Sequence, residues 1–538
     1  MRKLEYILGI ISLLCIYPCA SLAQDSTLTR EVTVEKDYQP EIATAEIIPI
    51  QPSILQEEVE PNPVIYSTFS TPLSIGFNLH PLQAADTRFS SPTPSYGMLD
   101  GALGHHNTHL DFFYQIKGGR KFNADICAQH DAYWGKNTLA NTMVKGNGAF
   151  SFNKVKLYFG LEGDNKAYSL YQRDTLQALY HADAHIGICS QPENHLQFKI
   201  QTAYKAFFTP KTVEHQIRTQ LNIYWSEGVH KGGVKAYVHN NCYSHATNLT
   251  TPIHNIRIQP FYTLNESKIK LEVGVNLDMN IGTGKMLSKT ENLSFAPSPH
   301  IKLKWLAVPK IFNLHAEIEG GLAKGTLEEE LNINRYLRLD QLEHNREPKT
   351  YTPIASNLGF MIHPIRTMVI DIYGGYSLYK NDYTMVCDPS TMSYSYLRHD
   401  YQRAHIGASL HYHYRDIITI NAKGHYYFWK NMSEVRKVYD RPNWDASLRL
   451  DVNIDQKWSL YSDNHIEGTR WAYTTLQDEK QDEKLQAIID LNIGAQYDIN
   501  RWLNVYLQLG NYLHRKNPIY YGYNTQGCHF LAGVKYIF

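Results

Sequence analysis

The chain has 538 residues, and its 52 Lys and Arg balance its 52 Asp and Glu. A formal net charge of zero gives nucleic acid no electrostatic footing. The seven Cys are scattered without metal or disulfide spacing, so neither a thiolate metal centre nor a disulfide framework is expected.

The first residues read as an export signal. Arg2 and Lys3 precede an apolar run from Ile7 to Ile16, and Ser21-Leu22-Ala23 supplies a small-x-small cleavage site. The run is too short for a membrane span, which predicts a leader over 1–23 cleaved after Ala23. Cys15 and Cys19 leave with it; Cys127, Cys189, Cys242, Cys387 and Cys528 remain as incidental residues. Residues 24–95 are rich in Pro and acidic side chains and lack helical periodicity, which predicts an extended arm.

From residue 96 onward the pattern is alternation. Around "SQPEN", Ile186 and Ile188 on one strand and Phe198 and Ile200 on the next share an apolar face. His181, Asp183, His185, Gln197 and Lys199 share the other. "KIKLEVGVNLDMNI" sets Ile269, Leu271, Val273, Val275 and Leu277 against Lys270 and Glu272, and "NWDASLRLDVNI" repeats the pattern with Leu448 and Leu450. Several runs exceed the usual soluble strand and suit the roughly 9–11 residues of a tilted membrane-crossing strand.

The connections alternate in length. Short turns fall at 153–154, 190–194, 265–267, 308–310, 363–366, 414–416, 455–457 and 500–501, and long polar loops lie between them, the longest being 324–349 and 380–400. The loops "GTGKMLSKTEN" and "GTRWAYTTLQDEKQDEK" belong to the same set. Short periplasmic turns alternating with long outer loops predict an all-β fold, a transmembrane antiparallel barrel of about 22 strands over 96–538. The arm would then be periplasmic, with room to enter the lumen.

The eight Trp support this reading. Trp225, Trp305, Trp458 and Trp502 fall at periplasmic strand ends, and Trp134, Trp429, Trp444 and Trp471 at or beyond the outer ends, as interfacial belts require. The apolar face then meets outer-membrane lipid. The last strand, "CHFLAGVKYIF", resembles the terminal strand by which bacterial barrels are recognised. The resemblance makes Tyr536 and Phe538 an assembly signal and the barrel-assembly machinery a partner.

The runs "REVTVEKDYQPEI", "VIYSTFSTPL", "YGMLDGALGHHN", "PSPHIKLKWLAVPKIFNLHAEIEGGL" and "INRYLRLDQL" resemble TonB-dependent-receptor-like outer-membrane proteins of the Bacteroidetes. The resemblance runs over most of the mature chain and implies transport of a solute across the outer membrane. One departure is that 24–95 is shorter than the globular plug of such receptors, so energised transport is open. Arg30, Glu31, Val32, Thr33, Val34 and Glu35 resemble a TonB box, an extended stretch able to pair with a TonB-like protein. The same residues could instead form a short strand docked on the barrel or on another envelope protein.

Little points to chemistry. No G-x-S-x-G, H-E-x-x-H or phosphate loop is present, and the acidic runs "EEEL" and "QDEKQDEK" read as solvated loop charges. His105, His106 and His109, the pair His181 and His185, and the pair His411 and His413 read as polar lumen or loop residues rather than metal ligands. No catalytic residue, metal or cofactor is expected. The alternative to a transporter is a non-transporting barrel that scaffolds an outer-membrane complex.

Overall fold

The computed structural model describes residues 97–538 apart from 118–120, 136–137, 171–175, 192–194, 245–251, 283–294, 339–349, 434–436 and 477–478. The expected leader, arm and Arg30–Glu35 segment, and most of the "GTGKMLSKTEN" loop, lie outside the described residues.

The first nine strands are β1 (Gly97–Gly104), β2 (Asn107–Lys117), β3 (Phe122–Tyr133), β4 (Leu139–Ser151), β5 (Val155–Ser169), β6 (Leu176–Ser190), β7 (Leu196–Phe208), β8 (Val213–Glu227) and β9 (His230–Ser244). Then come β10 (Ile253–Asn265), β11 (Ile269–Gly282), β12 (Phe295–Val308) and β13 (Phe312–Leu322), followed by helix α1 (Leu327–Ile333). After the helix the chain forms β14 (Tyr351–Ile365), β15 (Met368–Asp388), β16 (Ser393–Tyr414), β17 (Ile418–Asn431), β18 (Trp444–Asn453) and β19 (Trp458–Glu467). The remainder is β20 (Arg470–Leu476), β21 (Glu479–Leu485), β22 (Ile488–Asp498), β23 (Leu503–Gly510), β24 (Pro518–Tyr520), β25 (Tyr523–Asn524) and β26 (His529–Ile537).

Each wall strand pairs antiparallel with its neighbours in chain order, β19 pairs β22, β23 pairs β26, and β26 returns to β1. The result is a closed barrel of 22 strands. Closure leaves no edge, which is how a sheet of this size avoids exposing unpaired backbone. At the seam the amide of Gly97 donates to Phe538 O (2.7 Å) and that of Phe538 to Gly97 O (3.0 Å). The hairpins β20–β21 and β24–β25 stand outside the wall within connections.

The expected alternation holds residue by residue. On β11, Val273 and Val275 face outward and are exposed, whereas Asn276 and Asp278 are buried on the inside. Ile186, Ile200 and Leu448 are exposed outward, and His181 and Glu272 turn inward to ionic partners. A soluble sandwich hides such apolar faces against a second sheet. This wall carries them on its outer surface.

The eight expected short turns all lie at one end. Two are locked by side chains: the amides of Lys457 and Trp458 donate to Asp455 Oδ1 (2.8 and 2.7 Å), and those of Trp502 and Leu503 to Asn500 Oδ1 (2.8 and 3.0 Å). These amides hold the Asp455 carboxyl below the usual carboxylate range. Trp225, Trp305, Trp458 and Trp502 are exposed near this end, and Trp134 and Trp444 at the other. Trp429 and Trp471 depart from the expected belt. Trp429 shares the inward parity of His425 and Tyr427, opposite exposed Tyr426 and Phe428, and Trp471 lies in the β20 hairpin against Lys437.

The long-loop end differs more from expectation. Residues 380–400, expected as a loop, continue β15 and β16 to 21 and 22 residues, with a bulge between Tyr379 and Asp382. Alternating Tyr, Thr and Met side chains let this hairpin keep pairing beyond the wall. The loop expected at 324–349 contains α1, and "GTRWAYTTLQDEKQDEK" contains β20–β21.

Candidate functional site

Two features could serve function: the lumen and the cap over its long-loop end. Inward parity brings opposite charges together on the inner face. Lys145 meets Glu162 (3.2 Å), Lys235 meets Glu272 (3.1 Å), Arg257 meets Asp278 (2.6 Å) and Lys302 meets Glu317 (2.7 Å). Arg218 pairs with Asp183 two strands away, and Arg449 with Asp451 on its own strand (2.8 Å). The pairs that run between strands support register, and together they leave a polar, charge-balanced inner surface.

The histidines join the same ladder. His109 Nδ1 lies 2.6 Å from Asp131 and His181 Nδ1 2.5 Å from Asp164, while His411 bonds Asn421 (2.6 Å) and His413 bonds Thr419 (3.0 Å). Among the described residues no three His, Cys, Asp or Glu side chains converge as a metal site.

The cap is built by connections from three sectors of the wall. Its apolar core joins Tyr168, Leu179 and Phe207 from β5–β7, Leu327 and Leu331 from α1, Leu337, then Met385, Cys387 and Tyr394 from the β15–β16 tip. Tyr520 and Tyr523 come from the connection between β23 and β26. These strands stand far apart round the wall, so their side chains can meet only across the barrel's end. Tyr336 stacks on Tyr523 with ring centres 3.6 Å apart. Tyrosine hydroxyls tie the layer to backbone: Tyr168 donates to Arg335 O (2.8 Å), Tyr394 to Tyr521 O (2.6 Å) and Tyr523 to Met392 O (2.9 Å). Tyr suits this place because its ring fills the core while its hydroxyl finds a partner.

Helix α1 is the crossing piece. Thr326 caps it by accepting from the Glu329 amide (3.0 Å), and Glu329 reaches back to the Thr326 amide, forming a capping box. The Glu214 carboxylate of β8 accepts from the amides of Leu327 (3.1 Å) and Glu328 (3.2 Å), satisfying donors that a helix start leaves free. Glu328 pairs with Lys205 of β7 at 2.5 Å. The "EEEL" charges are therefore cap and anchor rather than solvated loop. The Thr-x-x-Glu spacing at 326–329 was the signal that could have revealed the helix.

A second anchor lies beside the tip. Buried Arg441 donates to Asp382 Oδ2 (2.7 Å), Tyr401 donates to the same carboxylate, and Arg441 stands 4.7 Å from the Tyr401 ring centre. Asp440, in the left-handed region at φ 58°, has a buried Oδ2 without a partner among the described residues. Burial pushes its carboxyl up to about 6, against the pull of Arg470 and Arg441.

Of the sequence-expected site residues, Arg30–Glu35 lie outside the described residues. Tyr536 and Phe538 sit at the seam, where their rings stack (5.7 Å) and Phe538 also stacks on Tyr114 (6.0 Å). Gly97 is where the Phe538 ring passes: a Cβ there would overlap it.

No family model matches the chain, and no curated protein matches it. Solved structures do. A structure titled copper transporter OprC superposes with a TM-score of 0.63 at 11% identity, over 82% of this chain and 80% of that one. The ferripyoverdine receptor of the outer membrane of Pseudomonas aeruginosa gives 0.62 at 10% identity, over 84% and 72%. The ferric-catecholate import receptor Fiu from E. coli K12 gives 0.59 at 10% identity, over 84% and 82%. The fold is that of these barrels. At such identities the likeness is one of architecture, and substrates do not transfer with it.

Proposed function

We infer that the chain is a bacterial outer-membrane barrel of the TonB-dependent-receptor kind, passing a solute across that membrane. The observation that carries this reading is the wall: 22 closed strands, apolar outside and charge-paired inside, with the fold of solved transporters and receptors. The exposed apolar band is far larger than a soluble protein tolerates, and lipid is the surface that fits it. No catalytic step belongs to this reading. On this reading Arg30–Glu35 would be the segment offered to a TonB-like partner, residues 24–95 a periplasmic arm with room to enter the lumen, and Tyr536 and Phe538 an assembly signal.

One observation favours the scaffold reading: the cap packs like a protein interior, with Tyr168, Leu331 and Tyr394 buried. A mouth bridged by such a core suits a barrel that holds envelope partners. Planar-bilayer conductance of the full chain and of a chain lacking 24–95 separates the two. Transport predicts channels once the arm is removed, and photocrosslinks from Val32 to a TonB-like protein. Silence in both chains, with envelope proteins co-purifying, would leave the scaffold.

A further inference from the structure

The inward cations Arg218, Arg257 and Lys302 each rest on a carboxylate. Arg403 of β16, inward beside them in parity, does not. Among the described residues its Nη2 donates to Ser377 Oγ (3.2 Å), and its Nε is buried without a partner. Its other neighbours are rings: the guanidinium carbon lies 5.8 Å from the ring centres of Tyr379 and Tyr427 and 5.9 Å from that of Trp429.

The register makes this a constructed surface. Ser377 and Trp429 lie directly opposite Arg403, and Tyr427 opposite His405. Gly375 and Gly407 leave room for rings to lie back against the wall: a Cβ at Gly375 would meet His405 at 2.6 Å, and one at Gly407 would meet Tyr373 at 2.6 Å. Trp429 also lies 5.5 Å from the guanidinium of Arg441, at the foot of the cap. The patch therefore lies on the inner wall beside the foot of the cap.

A guanidinium among aromatic rings gains some cation–π attraction but keeps an unmatched charge. The complement to that environment is a carboxylate, which takes the guanidinium fork, carried on a ring, which stacks on Tyr or Trp. We propose that Arg403, Tyr427 and Trp429 form a docking point in the lumen for a solute bearing a carboxylate on a ring whose face stacks on an aromatic side chain. The proposal rests on reading the lumen as a solute path. Acidic sugars and aromatic acids share this chemistry.

The test is calorimetric titration of the full chain in detergent with a galacturonate oligomer, with benzoate and with a neutral maltose oligomer. One of the two acids saturates the protein and the neutral sugar does not; which acid does so identifies the source. Arg403→Gln weakens that binding about tenfold or more, the loss expected for a charged hydrogen bond, and Lys302→Gln leaves it unchanged. Saturation by neither acid overturns the proposal, as does equal binding by Arg403→Gln and the parent, or an equal loss in Lys302→Gln. Should Arg403→Gln fail to form a heat-modifiable barrel, the parent's salt dependence decides: affinity falls as salt rises, and insensitivity overturns the site. Acid binding without conductance in the arm-deleted chain would remove the transport reading and leave this site standing.

Discussion

At the scale of single residues, the cap depends on a few polar groups placed where water is scarce. Asp440 has the clearest consequence. Its carboxyl is raised from an ordinary value of 3.8 to about 6 by burial, so the folded chain binds its proton more tightly than the unfolded chain does. Its contribution is therefore fully present below about pH 4 and is lost as pH rises through about 6. Asp440→Asn should remove that dependence and strengthen docking of residues 438–443 at pH 7 by on the order of 1 kcal/mol. Amide exchange of that segment at pH 4.5 and 7.5 checks this: parent protection should fall with pH, while the variant's should not. A parent whose exchange, corrected for the intrinsic rate, ignores pH would contradict it. None of this was legible beforehand, because nothing in the local pattern around Asp440 and Arg441 marks either as buried.

At the scale of elements, α1 has seven residues, too few to be stable alone. It holds because Leu327 and Leu331 enter the cap core and because Glu214 and Thr326 satisfy its amino-terminal amides. Glu214→Ala leaves two amides without their acceptor, at a cost of about 1–3 kcal/mol. Cys387, 0% exposed within the same core, reports the outcome. In a chain whose other cysteines are alanine, a bulky maleimide should label Cys387 about tenfold faster or more when Glu214→Ala is present. Unchanged labelling would mean that the helix is held by its apolar face alone. The capping box was readable as Thr326-Leu-Glu-Glu329, but its meaning was not. Glu214 is more than a hundred positions away and reaches the helix only because the barrel closes.

At the scale of the molecule, the wall turns a one-residue alternation into two environments. Val273, 40% exposed on the outer face of β11 and opposite Ile301, lies near the middle of the expected apolar band. Val273→Arg should cost about 2–4 kcal/mol if that band meets hydrocarbon. Urea unfolding of the folded barrel in vesicles measures the loss, and an unchanged midpoint would reverse the assignment of faces. The inward neighbours Glu272 and Asn276 belong to the polar interior, where a charge meets partners such as Lys235 and His300.

The alternation, the spacing of short turns and the position of most Trp are local properties, so the strand count, the assignment of faces and the short-turn end of the barrel followed from the sequence by itself. A side chain's face depends only on its parity along the strand. The long-loop end followed different physics. Whether 380–400 loops or keeps pairing, whether Trp429 faces outward or inward, and what caps α1 depend on groups distant in the chain that closure brings together. The cap of Tyr168, Leu331, Tyr394 and Tyr523, and the unmatched Arg403 beside its foot, were decided by the tertiary structure alone. Burial and pairing there are set by contacts between wall sectors, which no periodicity encodes.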